Sequence, residues 1–486
     1  MKFRFLSVAS MGLMVLLGGC MVGPKYTVPT APAPPAFKEG GPDGFKENAD
    51  WQVAKPADAI PRGAWWTIFN DPQLNALEPQ VETANQTLKA ADANLRSARA
   101  EIRVRNADRY PTIGIAPAVG GLRDSANEPY FNSINANNGE ANLLLPLEVN
   151  YEVDLWGRIR RNIAAAKEEA QATAADRQNV LLSLQAEVAL DYFELRADDA
   201  QQKLLNDTVV QYQEALRVTT NRYEGGIAVK SDVTQAETQL QAGKVAAADI
   251  AVSRAQFEHA IAILTGQPPA SLNLPPAPLP VALMPPVIPP GLPSQLLERR
   301  PDIAAAERRT AEANEQIGIA RAAFFPTLAL SGEAGFQSTS IASLFSPASI
   351  VYAVGPGLSQ TFFDAGRRRG VSEEAIAGFD RTAADYRQAV LTSYQQVEDN
   401  LVALRVLADE ATQQRAATAA AQESERIFNN RYVGGVDTYL QVITAQTTAL
   451  TNERNDIDIL RRRMDATVLL IKVLGGGWDR SQLPPQ

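Results

Sequence analysis

The sequence predicts a mixed α/β membrane protein built from two copies of one unit, each setting a pair of amphipathic strands beside a very long helix. Three observations predict it. The stretch RYEGGIAVKSD, Arg222 to Asp232, returns as RYVGGVDTYLQ, Arg431 to Gln441, with Arg, Tyr and both glycines displaced by 209 positions (431 against 222). Ahead of each copy lie runs in which apolar and polar residues alternate with period two. Between those runs and each glycine pair, from Gly157 to Tyr223 and from Gly366 to Tyr432, there is no proline.

The chain starts with what reads as an export signal over residues 1–19. Lys2 and Arg4 form a short basic region, and Phe5 to Leu17 is an apolar run too short for a usual membrane-spanning helix. The run ends LGGC, which resembles a bacterial lipoprotein box and implies lipid attachment at Cys20. Two or more acyl chains anchor a protein stably where one does not.

Composition narrows the chemistry. With 486 residues, 45% hydrophobic and 21% charged, the chain is long and apolar enough to fold. One Cys and one His exclude most thiolate, zinc and triad chemistry, and no nucleophile–base set or carboxylate pair stands out. No enzyme activity, cofactor or metal site is expected, and His259, in the helical pattern FEHAIAIL, reads as structural. Removing residues 1–19 takes the formal charge from −9 to −11, since they hold Lys2, Arg4 and no acid. Such acidity disfavours nucleic acid, whose binding neutralises phosphates.

Taken in order, each copy predicts a helix, two strands, a long helix, a glycine turn and a returning helix. In the first copy Leu143, Leu145, Leu147, Val149, Tyr151, Val153 and Leu155 alternate with Glu148, Asn150, Glu152 and Asp154; the partner strand keeps Ile113, Ile115 and Val119 in phase. In the second, Leu328, Leu330 and Phe336 alternate with Thr327, Ser331 and Glu333, and Ile350, Tyr352, Val354, Leu358 and Phe362 with Ala353, Gly355, Ser359 and Thr361. Such strands suit either a protein core or a membrane barrel. Four strands cannot close a membrane barrel, and an open edge in lipid leaves backbone groups unpaired, so the membrane reading requires an oligomer: two chains give eight strands, three give twelve.

The proline-free stretches carry apolar residues at helical spacing, Leu181, Leu184, Val188, Tyr192 and Leu195 among them. They predict one helix of about 100 Å, or two shorter ones if Asp198-Asp199 breaks the seam. The double glycine supplies the left-handed backbone that ends a helix, and Asp232 with Gln235, or Thr438 with Gln441, could cap the return. Between the copies, Gln267 to Pro293 holds eleven prolines in 27 residues, an extended connector. The expected division is 1–19 signal, 20–62 lipidated linker, 63–266 first repeat, 267–297 connector, 298–475 second repeat and 476–486 tail.

Four stretches then carry a family resemblance: CMVGPKYTVP from Cys20, WWTIFNDPQLNALE from Trp65 to Glu78, RRPDIAAAERRTAEANEQIGIARAAFFPTLALSGEAG from Arg299 to Gly335, and the two RYxxG turns. They resemble the TolC/OprM outer-membrane efflux channel family in its lipoprotein branch. The resemblance implies a homotrimer with one twelve-stranded outer-membrane barrel, four strands from each chain, continued by a periplasmic helical tunnel. It implies passive export of drugs or other small toxic compounds, with a periplasmic adaptor and a proton-driven inner-membrane pump as partners. Glu148, Glu152, Asp154 and Glu333 would then face water in the bore. Arg222, Gly225, Gly226, Val229, Ser231, Arg431, Gly434, Gly435, Asp437 and Thr438 match the family's adaptor-docking tips. At the periplasmic gate the chain departs from the family pattern: VITAQ stands where relatives read like LLDAQ, placing Thr444 in the acidic position, with Gln441 one turn earlier, Leu440 as the apolar constriction, and Asp437 or Asp232 left to supply charge. A type I protein secretion conduit and a non-conducting periplasmic scaffold are the alternatives.

Overall fold

The computed structural model describes residues 21–31, 33–39, 63–123, 125–127, 129, 138–280, 283–286, 288, 296–478 and 483. The expected signal, Cys20, residues 40–62 of the linker, part of the proline-rich connector and most of the tail lie outside the described residues.

After a 3-10 turn, Trp65–Phe69, come α1 (Pro72–Ala84) and α2 (Gln86–Ala107). Asp71 starts α1 by accepting from the backbone N–H of Gln73 and Leu74, and Asn85 starts α2 by accepting from that of Leu88. Three strand segments follow, β1 (Thr112–Ile115), β2 (Ala118–Arg123) and β3 (Asn138–Val153), then α3 (Arg158–Glu224) and α4 (Lys230–Leu264). The second half runs α5 (Pro301–Ala322), β4 (Thr327–Ser338), β5 (Ile350–Ser359), α6 (Arg367–Val433) and α7 (Tyr439–Val473). The long helices are 67 residues each and the returns 35 each, so each long helix spans about 100 Å. No described helix is long and apolar enough to cross a membrane.

Asp198-Asp199 does not break α3. Asp199 is buried there between Arg196 (2.7 Å) and Arg254 of α4 (2.7 Å), and it accepts the backbone N–H of Ala277 from the connector (2.9 Å). Arg254 also donates to the carbonyl of Leu274, Arg196 to that of Pro275, and Glu258 accepts the N–H of Leu274. Connector backbone without regular partners is thus satisfied by charged side chains of α3 and α4.

The sheet departs from the expected four strands in one respect. The first arm is two segments, β1 and β2, both antiparallel to β3, so among the described residues five strands form four arms in the order β1/β2, β3, β4, β5. The register carries through the gap: Ile115 faces Leu147 and Ala118 faces Leu144, three residues on along each chain. Pro117 has no N–H to give the ladder, and Pro146 of β3 falls opposite the same gap, which accounts for the interruption. On the other side of β3, Gly335 lies so close that a Cβ would sit 2.1 Å from the carbonyl oxygen of Leu145.

That register gathers the apolar residues. Ile113 pairs with Val149, Leu145 with Phe336, Tyr151 with Leu330, and Leu328 with Leu358, so all four arms turn one apolar face the same way. The face is bare: Val119, Tyr352 and Val354 are each more than three quarters exposed. Both outer arms, β1/β2 and β5, have a free edge.

The packed core lies elsewhere, midway along the helices. Trp65, Leu74 and Val81 meet Tyr192 and Leu195 of α3, Ile261 of α4, Val390 and Val397 of α6, and Met464 and Ile471 of α7. Residues 21–31 and 33–39 run from the sheet–helix junction towards this level: Val22 N–H bonds the Trp156 carbonyl, Arg161 donates to the carbonyls of Val22 and Pro24, and the amides of Lys38 and Glu39 reach Glu398 of α6.

Candidate functional site

Three groups of residues occupy three levels of the molecule. At the sheet, Glu148 and Glu333 lie directly opposite each other on β3 and β4, on the face away from the apolar one. Glu152 shares that face and is held by Arg158 through two contacts, 3.0 and 2.7 Å. Asp154 falls beyond the end of β3 rather than on the strand. Its carboxylate accepts the backbone N–H groups of Ile159 and Arg160 and the Arg160 guanidinium, so it starts α3. Asp364 does the same for α6, accepting from Gly366, Arg368 and the Arg368 guanidinium, which holds its carboxyl below the ordinary value. Gly157 (φ +82°) and Gly366 (φ +89°) provide the left-handed step between strand and helix at both places.

At the far end the long helices close on their glycine pairs alike. Ile227 N–H reaches back to the Arg222 carbonyl and Gly226 N–H to that of Tyr223; Val436 and Gly435 repeat this to Arg431 and Tyr432. Gly226 (φ +73°) and Gly435 (φ +75°) take the left-handed position that such a helix end requires. The expected caps of the returning helices do not form. Thr438 sits at the N-cap of α7 but its side chain makes no cap bond, and Val229 takes the N-cap of α4, because α4 starts at Lys230 and so places Asp232 inside its first turn, where its charge instead meets the positive end of the helix. Ile227, Val229 and Val436 are exposed around the turns, with Ser231 and Thr438 beside them.

The two tips are joined by a contact that only one half makes. Arg222 donates to the Val433 carbonyl (2.9 Å) and lies over the Tyr432 ring (4.8 Å). Arg431, its counterpart, pairs instead with Asp437 in its own turn. Position 228, the counterpart of Asp437, is Ala, so Arg222 has no acid on its own loop. Tyr432 and Tyr439 pack at 5.2 Å with Ala236 and Val442, and burial, with the nearby Tyr432, Tyr212 and Asp232, pushes the Tyr439 hydroxyl up to about 12.

Leu440, Gln441 and Thr444 share the exposed side of α7, with Tyr439, Val442 and Ala445 turned into the hairpin. The Thr444 hydroxyl donates to the Leu440 carbonyl (2.9 Å). Asp232 lies on α4 instead, close enough to act electrostatically on Tyr439 at the start of α7. Sequence reasoning missed Asp199, Arg196, Arg254 and Arg161 as fold-building charges; their signal was polar residues interrupting apolar seams.

With this geometry in place, comparison with known proteins is direct. The profile of the outer membrane efflux protein family matches residues 77–267 and 292–476. The chain belongs to that family. Relatives span it from end to end. The probable efflux pump outer membrane protein SepC of Pseudomonas putida is 30% identical over 492 residues, covering all of this chain and 99% of its own. The outer membrane protein OprJ of Pseudomonas aeruginosa is 30% identical over 476 residues, covering 98% and 96%. Among solved structures, the outer-membrane channel OprN superposes with a TM-score of 0.83 at 29% identity, covering 94% of this chain and all of its own. The open state of the MtrE outer membrane channel of Neisseria gonorrhoeae gives 0.80 at 26% identity, over 95% and 99%. As an outer membrane efflux protein, the chain has its two longest helices and its sheet in the arrangement those channels share. Among its described residues no group of three or more His, Cys, Asp or Glu could hold a metal ion.

Proposed function

We propose that three copies of this chain close a twelve-stranded barrel in the outer membrane and continue it as a helical tunnel through the periplasm, the passive exit duct of a tripartite efflux system. The observation that carries this reading is the sheet: most of its large apolar residues fall on one bare face, with Leu144 and Val351 among those on the other, and both edges are free. In lipid, unpaired edge groups cost several kcal/mol each, so copies must pair β5 of one chain with β1/β2 of the next. Phe324, Phe362 and Phe363 at the helix end of the arms, and Ile341 and Phe345 at the other, are exposed where aromatic and apolar girdles meet the membrane surface.

In that assembly Glu148, Glu152 and Glu333 face the bore and Cys20 carries the lipid. The two glycine tips of each chain give six around the trimer for adaptor hairpins to dock on, and exposed Ile227, Val229 and Val436 beside the glycines support a partner surface. Leu440, Gln441 and Thr444 form the gate face of α7. The cargo is drugs, solvents or similar small toxic compounds, as relatives described as antibiotic and solvent efflux pump outer membrane proteins suggest, delivered by an adaptor and an inner-membrane pump. Deleting the gene should lower the inhibitory concentrations of several such compounds together, and the purified oligomer should have the mass of three chains and conduct in a lipid bilayer. A native single chain in detergent, or unchanged susceptibility alongside loss of a secreted polypeptide, would overturn the reading.

A further inference from the structure

A row of acids runs along α3 that neither the strands nor the tips explain. Glu187, Asp191, Glu194 and Asp198 recur at steps of four, three and four and so share one side of the helix. Antiparallel to them, α7 brings Asp458, Arg461, Asp465 and Lys472. Arg461 bonds Asp458 (2.8 Å), Asp465 (2.9 Å) and Glu194, and Lys472 lies in the field of Glu187. Six acids thus meet two cations. Two carboxylate oxygens in the seam are buried with no hydrogen-bond partner, Oδ2 of Asp198, a residue 7% exposed, and Oδ1 of Asp465.

The direction of the seam follows from the helix. Tyr192, Arg196 and Asp199 hold α1 and the connector, through Asp71, Gln73 and Ala277. At about 100° per residue, the acidic row is centred roughly 140° around α3 from those three. The connector and α1 must lie outside a helical tunnel, since inside they would plug it, so the acidic row looks inward. Glu187 is exposed and Asp191 and Glu194 half-buried, as a wall facing water requires.

We propose that this seam is a cation-selecting belt at mid-height of the tunnel, favouring the passage of positively charged compounds, with a strength that follows periplasmic pH. The inference rests on the channel reading above. Burial, then the neighbouring Glu187 and Glu194, pushes the Asp191 carboxyl up to about 7; burial and Glu194 do the same to Asp465, against the pull of Arg461. The other charges packed nearby are already matched or turned elsewhere. Arg254 and Arg196 are engaged by Asp199, Arg300 by Asp302 beside Lys472, and Arg462 by Glu410, while Arg463 faces Arg415. Below pH 6 both aspartates are largely neutral; above pH 8 each chain adds two charges, six per trimer. The proton lost from each goes to solvent, and no other chemistry is required.

The test is the reversal potential of the purified oligomer in a lipid bilayer under a potassium chloride gradient, at pH 5.5 and 8.5. The potassium-to-chloride permeability ratio should rise by about twofold or more between them, as added fixed charge in a pore demands. D191N/D465N should flatten that rise and dissociate on heating at the same or a higher temperature, since repulsion is relieved. Should the double variant not assemble, D191N alone must remove part of the rise. A conducting pore whose ion preference ignores pH, or keeps its pH response in these variants, overturns the belt alone; an oligomer that forms no pore overturns the channel reading with it.

Discussion

Arg222 reaches across from the end of the first long helix to the Val433 carbonyl at the end of the second, whereas Arg431, 209 residues on, closes on Asp437 within its own turn. Equivalent arginines in matched turns therefore do different work, and the difference traces to Ala228 standing where the second half has Asp437. Of these two arginines, Arg222 is the one that ties its hairpin to the other.

Removing that tie should loosen the tips. R222A loses an ion-assisted hydrogen bond and a ring contact at the surface, together about 1 kcal/mol, which shifts an open-to-closed equilibrium roughly fivefold. Single-channel recordings should show a higher open fraction for R222A. D437A, which frees Arg431 but leaves the cross-hairpin contact, should change it less.

Substitutions at the tips should separate docking from gating. A charged residue at Gly226 or Gly435 must adopt a left-handed backbone and adds charge beside the exposed valines, so G226D or G435D should abolish adaptor crosslinking and drug resistance while trimers persist. L440A should raise single-channel conductance and leave crosslinking intact. Unimpaired resistance in the glycine variants would exclude docking there.

Glu78 should make the fold less stable as pH rises. It is fully buried on α1, the helix that sends Leu74, Leu77 and Val81 into the core, neither carboxylate oxygen has a hydrogen-bond partner, and burial pushes its carboxyl well above the ordinary value. The folded state therefore holds a proton that the unfolded chain releases near pH 4.3, and stability falls with rising pH above that point, by up to about 1.4 kcal/mol per pH unit. E78L should raise the melting temperature, by more at pH 8 than at pH 5. An equal gain at both would show that the carboxyl is not the cause.

Breaking the clasp on the connector should be costly. D199A leaves Arg196 and Arg254 without their shared buried carboxylate, a loss of about 3–5 kcal/mol for such a pair. Hydrogen exchange should then quicken first at the amides of Leu274, Ala277 and Leu279, which bond to Glu258, Asp199 and the Arg196 carbonyl. Exchange that stays slow at these three amides would mean that the prolines alone hold the connector in place.

The sequence by itself determined the local elements, because each is written in short-range chemistry. Period two marked the strands, the absence of proline together with three-and-four spacing marked long helical stretches, which the structure resolves as single helices of 67 residues, and paired glycines marked the turns. The extended motifs from Trp65 and Arg299 carried the family. Tertiary structure decided what depends on pairing between distant residues. Register placed Glu148 opposite Glu333 and split the first arm at two prolines that lie 29 positions apart in the chain (146 against 117). Asp154 read as one more polar strand position until the start of α3 claimed its carboxylate, and Asp199 read as a flaw in a seam until the connector came to lie on it. Alternation along one strand fixes which residues share a face; only the neighbouring strand or helix fixes what that face meets, since hydrogen bonds and charges find partners by distance in space.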